Sequence, residues 1–221
     1  MPRPYIRLFA ILLFLSWEFR PQTNAAQDNP ATGRRLAEAF GCGDCHDPLA
    51  KNPPPNAPYI DGQKKSYLLR QMGSFRTARP TTPGPSKMIE RRHEKMDARL
   101  KALSDADIGH LAEYYAGLRC VPRRTFGETD IPRPPLHDRC QFCHGDTGAV
   151  PYIAYPNIGG QNKSYLIEQL KSFRTSARHY RDGPAQIKDE RFHRTMSPSI
   201  FDLTDAQIES IADFYSKQSC R

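Results

Sequence analysis

The sequence predicts an all-α fold made of two tandem domains of like design, and three observations carry that expectation. First, the chain repeats itself. Cys42-Gly43-Asp44-Cys45-His46 returns as Cys140-Gln141-Phe142-Cys143-His144, Gly62-Gln63 with Ser66-Tyr67-Leu68 returns as Gly160-Gln161 with Ser164-Tyr165-Leu166, and Ser74-Phe75-Arg76-Thr77 returns as Ser172-Phe173-Arg174-Thr175, all at one offset. Further on the offset lengthens slightly: His93 and Met96 then match His193 and Met196, Leu103-Ser104-Asp105-Ala106 matches Leu203-Thr204-Asp205-Ala206, and Tyr115 and Cys120 match Tyr215 and Cys220. A period this long marks duplication of a whole domain, not the short units of a solenoid. Second, apolar residues recur at helical spacing within each copy. Third, a proline-rich linker over residues 121–135 separates the copies. Residues 1–25 read as a leader, 26–121 as the first domain, and 122–221 as linker and second domain.

Each copy yields the same elements in order. Residues 31–40 put Leu36, Ala39 and Phe40 on one helical face and lead into the first cysteine motif, whereas Pro132, Pro134 and Pro135 shorten the counterpart helix. A proline-rich loop follows each motif. The next helix carries Leu68, Met72 and Phe75, or Leu166, Leu170 and Phe173, on one side. The last helix begins at Ser104 or Thr204 as N-cap, with Thr204 and Gln207 forming a capping box. It buries Ile108, Leu111 and Tyr115, or Ile208, Ile211 and Tyr215.

The pentapeptides carry the chemistry. Thiols at i and i+3 can add across the two vinyl groups of one haem, while the adjacent histidine supplies an axial nitrogen to its iron. Cys42, Cys45 and His46 would hold one haem, and Cys140, Cys143 and His144 a second. Each domain is then wrapped around one covalent haem. Zinc is the rival, but a structural zinc site draws four ligands from two such knuckles together.

The leader and the charge place the chain. Arg3 and Arg7 precede an apolar run over residues 8–17, too short to span a bilayer comfortably, and Thr23-Asn24-Ala25-Ala26 offers small residues for cleavage. This predicts a cleaved export signal and a periplasmic protein, with an uncleaved membrane anchor as the alternative. A formal charge of +8, with neither a glycine-rich phosphate loop nor an aromatic-basic tract, gives no reason to invoke nucleic acid.

The sixth iron ligand is chosen by the repeat. Met72 aligns with Leu170, Met88 has no methionine counterpart, and Met1 leaves with the leader, so Met96 and Met196 are the predicted ligands. Met72 reads as core packing. The rival is the repeated pair His93 and His193, which would give bis-histidine haems of lower potential.

On these residues the chain resembles the cytochrome c4 family, di-haem proteins made of two class I cytochrome c domains. The resemblance rests on the two cysteine motifs, the two Gly-Gln pairs with the following Tyr-Leu, the Phe-Arg after each, and each methionine followed by Leu-Ser/Thr-Asp. It implies haems facing one another across a pseudo-two-fold interface with their propionates near the contact. The chain departs from the family at Asp47-Pro48-Leu49-Ala50-Lys51, where a glycine-rich stretch is usual, and in the cysteine that ends each domain.

Supporting roles follow. A carbonyl of each proline loop is expected to accept the other ring nitrogen of His46 or His144. Arg76 and Arg174 could pair with propionates or stand solvated, and Tyr67 and Tyr165 could reach a propionate or pack. Cys120 and Cys220 could form a disulfide or remain free thiols. Filled axial positions predict an electron carrier with no catalytic residue and no small-molecule substrate, serving redox protein donors and acceptors such as a membrane oxidase or reductase. Basic residues including Arg91, Arg92, Arg123 and Arg124 would steer such partners. The alternative is the cytochrome subunit of a periplasmic dehydrogenase, such as a flavocytochrome sulfide dehydrogenase.

Overall fold

A computed structural model describes residues 28–76, 93–120, 131–152, 155–182 and 191–219. The leader, most of the linker, Met88, Arg91, Arg92, Arg123, Arg124 and Cys220 lie outside the described residues. All regular structure among the described residues is helical, and it divides into two bodies with separate apolar cores.

In the first domain α1 (Pro30–Ala39) starts where the Asn29 side chain accepts from the amides of Ala31, at 2.9 Å, and Thr32, at 3.3 Å, with Pro30 in the first turn, where its missing N–H costs nothing. Leu36 and Phe40 face the core as expected, but Ala39 is exposed and Ala37 is buried in its place. The face that packs is rotated toward Gly33 and Ala37, because α1 lies along the last helix of the domain and Gly33 meets His110 O there. A single turn, α2 (Gly43–His46), carries the motif, and α3 (Lys65–Arg76), α4 (Glu94–Lys101) and α5 (Asp105–Gly117) follow. The last helix, α5, packs on both α1 and α3. Ser104 and Asp107 cap it reciprocally, and Ile108, Leu111 and Tyr115 are buried along its inner face.

Among the described residues of the second domain no separate first helix precedes the motif, which sits within α6 (His137–His144). The chain enters α6 through Leu136 at φ 69°, a left-handed conformation that follows Pro134 and Pro135 and that a branched residue adopts only when its packing holds it there. Next come α7 (Lys163–Asp182), α8 (Met196–Ile200) and α9 (Asp205–Ser216). The Thr204 and Gln207 capping box forms as the sequence predicts, and Ile208, Ile211 and Tyr215 are buried.

The two bodies are joined through their Gly-Gln pairs. Gly62 and Gly160 sit at φ 67° and 68°, and their amides donate to Tyr115 O and Tyr215 O at 2.8 and 2.9 Å, so each turn is tied to the last helix of its own domain. The glutamines then cross over. Gln63 donates to Asn157 O at 2.8 Å and accepts from Asn157 N at 2.9 Å; Gln161 donates to Tyr59 O at 2.9 Å and accepts from Tyr59 N at 2.7 Å. Both glutamines are buried, and every polar atom of each side-chain amide is engaged. The symmetry breaks just before these turns, where Asp61 matches Gly159: a Cβ at Gly159 would lie 2.3 Å from Thr147 O and 2.6 Å from Ser219 O.

A candidate cofactor cavity between the domains

One cavity of about 670 Å³ runs through both domains, and Cys42, Cys45, His46 and Met96 line it together with Cys140, Cys143, His144 and Met196. Helical geometry explains how each motif presents its groups: residues three and four apart share a face, so Cys140, Cys143 and His144 project together from α6. The four motif cysteines are free thiols. Burial pushes the Cys140 thiol up to about 11 and raises that of Cys42. Among the described residues no three His, Cys, Asp or Glu side chains gather as a zinc site needs.

The histidines are oriented by the proline loops. His46 Nδ1 lies 2.9 Å from Pro58 O and His144 Nδ1 lies 3.2 Å from Pro156 O. A carbonyl only accepts, so the ring proton is on Nδ1 and Nε2 keeps its lone pair for the cavity. His46 Nε2 stands 3.5 Å from Met96 Sδ. Burial holds the His144 ring below the usual imidazole pKa, in its neutral form.

The rival histidines are placed differently. His193 Nδ1 accepts from the amides of Thr195 and Met196, each at 3.2 Å, so this nitrogen is spent on the start of α8. His93 is the exposed N-cap of α4. Both still border the cavity. Met72 packs on the first-domain core. The short helices that present Met96 and Met196 have little apolar periodicity; Glu94 and Asp97 in the first turn of α4, with Arg99 and Lys101 in its last, favour it through the helix dipole. Around Met196 the chain is pinned by two buried serines: Ser197 Oγ accepts from His193 N at 3.0 Å and lies 3.2 Å from Ser176 Oγ, which donates to Arg191 O at 2.9 Å.

Arg76 and Arg174 are not solvated but bonded within their own domains. Arg174 donates to Leu203 O at 2.8 Å and to Asp205 at 2.6 Å, while Arg76 donates to Leu103 O at 3.0 Å and to Asp105. Each arginine ties the middle helix of its domain to the start of the last one, because the Leu-Ser/Thr-Asp turn presents a carbonyl and a carboxylate side by side. Tyr67 accepts a bond at 3.1 Å from Arg191, a residue to which periodicity assigned nothing. Its repeat partner is Arg91, and that match was the available signal. Cys120 is disulfide-bonded.

A cavity lined by two pairs of free thiols and two imidazoles whose Nε2 keeps its lone pair, walled largely by apolar side chains, fits a pair of haems. Comparison with known proteins points the same way. The cytochrome c family profile matches residues 30–118 and 136–218. The cytochrome c4 of Azotobacter vinelandii is 34% identical over 152 residues, 64% of this chain and 71% of that protein. The crystal structure of reduced recombinant cytochrome c4 from Pseudomonas stutzeri superposes with a TM-score of 0.61 at 25% identity, covering 88% of this chain and all of the other. A thiosulfate dehydrogenase electron acceptor from Stutzerimonas stutzeri is 25% identical over 187 residues, 80% of this chain and 79% of that protein.

Proposed function

Because the chain belongs to the cytochrome c4 family, di-haem electron-transfer cytochromes built from two class I cytochrome c domains, we propose that it works in the periplasm as a diffusing carrier. It passes single electrons between redox proteins and onward to a membrane terminal oxidase. Two haem c groups are attached covalently, one per domain. In this reading Cys42 and Cys45 hold the first and Cys140 and Cys143 the second, with His46 and Met96, and His144 and Met196, as axial ligands. Haem iron, so held, supplies a one-electron ferric–ferrous couple.

The observation that supports this most directly is the approach of Met96 Sδ to within 3.5 Å of His46 Nε2, with Nδ1 of the same ring committed to Pro58 O. A nitrogen and a thioether face one another inside an apolar cavity, and the nitrogen bears a lone pair. Such a pair on a c haem favours the higher potentials of respiratory carriers. Mass spectrometry should find two haems on each exported chain, and a reduced-minus-oxidised spectrum should show c-type bands. One haem or none would defeat the attachment scheme.

A second reading, the electron-accepting subunit of a periplasmic dehydrogenase, draws on the likeness to the thiosulfate dehydrogenase electron acceptor. Stopped-flow electron transfer with membranes over a salt series separates the two. A diffusing carrier steered by charge slows as the screening length drops to about 10 Å and below. Rates indifferent to salt, with a stable stoichiometric complex, identify the subunit.

A further inference from the structure

Arg191 sits where the domains meet, and its surroundings are neutral. Its guanidinium donates to Gln169 Oε1 at 3.0 Å in its own domain and to Tyr67 Oη at 3.1 Å and Gln71 Oε1 at 2.8 Å in the other, and lies 4.5 Å above the Phe173 ring. Among the described residues no carboxylate pairs with it, whereas Arg139, another cation on the cavity wall, bonds Asp202 at 2.7 Å. A guanidinium enclosed by phenol, amide and aromatic groups has its hydrogen bonds met but not its charge, and a charge held away from water calls for a counter-charge. Arg191 also borders the one cavity that reaches from the first cysteine motif to the second.

We propose that Arg191 is a shared clamp for the carboxylates of both haems, a cation supplied by the second domain and positioned by the first. This rests on the attachment scheme above. Thioether bonds at the cysteines fix the vinyl edge of each porphyrin, and its two propionates hang from the opposite edge. Both cysteine pairs and Arg191 line the same cavity, so a porphyrin held at either pair would carry its propionate edge into the space that Arg191 borders. With its N–H groups engaged by Gln169, Tyr67 and Gln71, the guanidinium acts there through its charge, which keeps nearby carboxylates ionised. It also adds one positive charge near both irons, favouring the ferrous form of each. Arg91, its repeat partner, lies outside the described residues, so the clamp is argued for Arg191 alone.

A merely structural role would act on the loop before Met196. That loop is held by backbone bonds that a side-chain substitution leaves in place: Arg191 N donates to Ser172 Oγ at 2.7 Å, and Arg191 O accepts from Ser176 Oγ at 2.9 Å.

The test is spectroelectrochemical titration of the full haem-loaded chain, as wild type, Arg191→Gln and Arg191→Lys, between pH 5 and 9. In Arg191→Gln both midpoints fall at pH 8, lowering the reduced-to-oxidised ratio of each haem at a fixed potential by about tenfold, as expected for a unit charge about 12 Å away at an effective dielectric near 20. Both also gain a pH dependence absent from the wild type, because a propionate without its cation titrates in that range. Arg191→Lys restores most of each effect. Loss of haem from Arg191→Gln with retention in Arg191→Lys supports the clamp as well. A change confined to the second haem, with loss of its iron–sulfur band, overturns it, and so do unchanged midpoints on a two-haem protein. Wild-type protein without covalent haem would instead defeat the attachment scheme itself.

Discussion

Gln161 holds Tyr59, the residue that follows the carbonyl acceptor of His46. Its side chain bonds both backbone groups of Tyr59, at 2.7 and 2.9 Å, while Pro58 O receives His46 Nδ1. Gln63 does the same for Asn157, which follows Pro156, the acceptor of His144. Each domain thus steadies the segment that orients the other domain's histidine.

Gln161→Ala should therefore alter the first haem rather than the second. Freeing Tyr59 loosens the His46–Pro58 bond, makes the imidazole a weaker donor to iron, and raises that midpoint. Gln63→Ala should mirror this at the second haem. Each loses two buried hydrogen bonds, about 1–3 kcal/mol of stability. Potentials assigned by haem-methyl NMR check the direction; a shift in the mutated residue's own domain would refute the cross-domain relationship.

Met96→Ala and Met196→Ala should each remove one site's iron–sulfur charge-transfer band and lower that potential, since a thioether favours ferrous iron. His193→Ala should keep both bands, because its Nδ1 is engaged with the start of α8. Loss of a band in the histidine variant would reassign the ligand.

For Arg174→Ala the expected effect is on stability alone. The bonds to Leu203 O and Asp205 tie α7 to α9, and their loss should cost about 1–3 kcal/mol in a guanidinium melt. Both midpoints should stay where they are. A fall in potential without a loss of stability would return this arginine to the propionates.

Asp61 makes the protein's stability depend on pH. Burial, with a smaller push from Asp47, raises its carboxyl from 3.8 to about 6. The folded state therefore binds the proton more tightly than the unfolded chain. Its contribution is fully present below pH 4 and is lost as pH rises through about 6. Asp61→Asn should match the wild type near pH 4 and exceed it by on the order of 1 kcal/mol at pH 7.5. Thermal melts of the holoprotein at the two pH values decide; an equal gap at both would show that ionisation is not the cause.

What the sequence made legible was whatever repeats or keeps period. The capped last helices and the apolar faces of α3 and α7 are local patterns, and they stand as expected; the residues of both cysteine motifs line one cavity. The acceptors for His46 and His144 were foreseen because ligand chemistry demands them and only the proline loops follow closely. Arg76 and Arg174 bond the turn before the last helix of their domains, which the match alone did not foretell: a matched arginine says that something shared is bound, not what it is. Arg191 and the crossed glutamines escaped because their partners lie in the opposite domain, at separations no periodicity spans. The helices α4 and α8 escaped because they are short and are held by their surroundings more than by an apolar stripe.

The mismatch between Asp61 and Gly159 limits what can be exchanged between the two halves. Grafting the first domain's turn alone into the second domain would place an aspartate where a Cβ meets Thr147 O at 2.3 Å, in a turn whose neighbouring glycine is already tied to the last helix. The duplicated modules have diverged into a left and a right part, each shaped to its own seat. A half can move only together with its own seat, and this turn cannot be carried alone from the first half into the second.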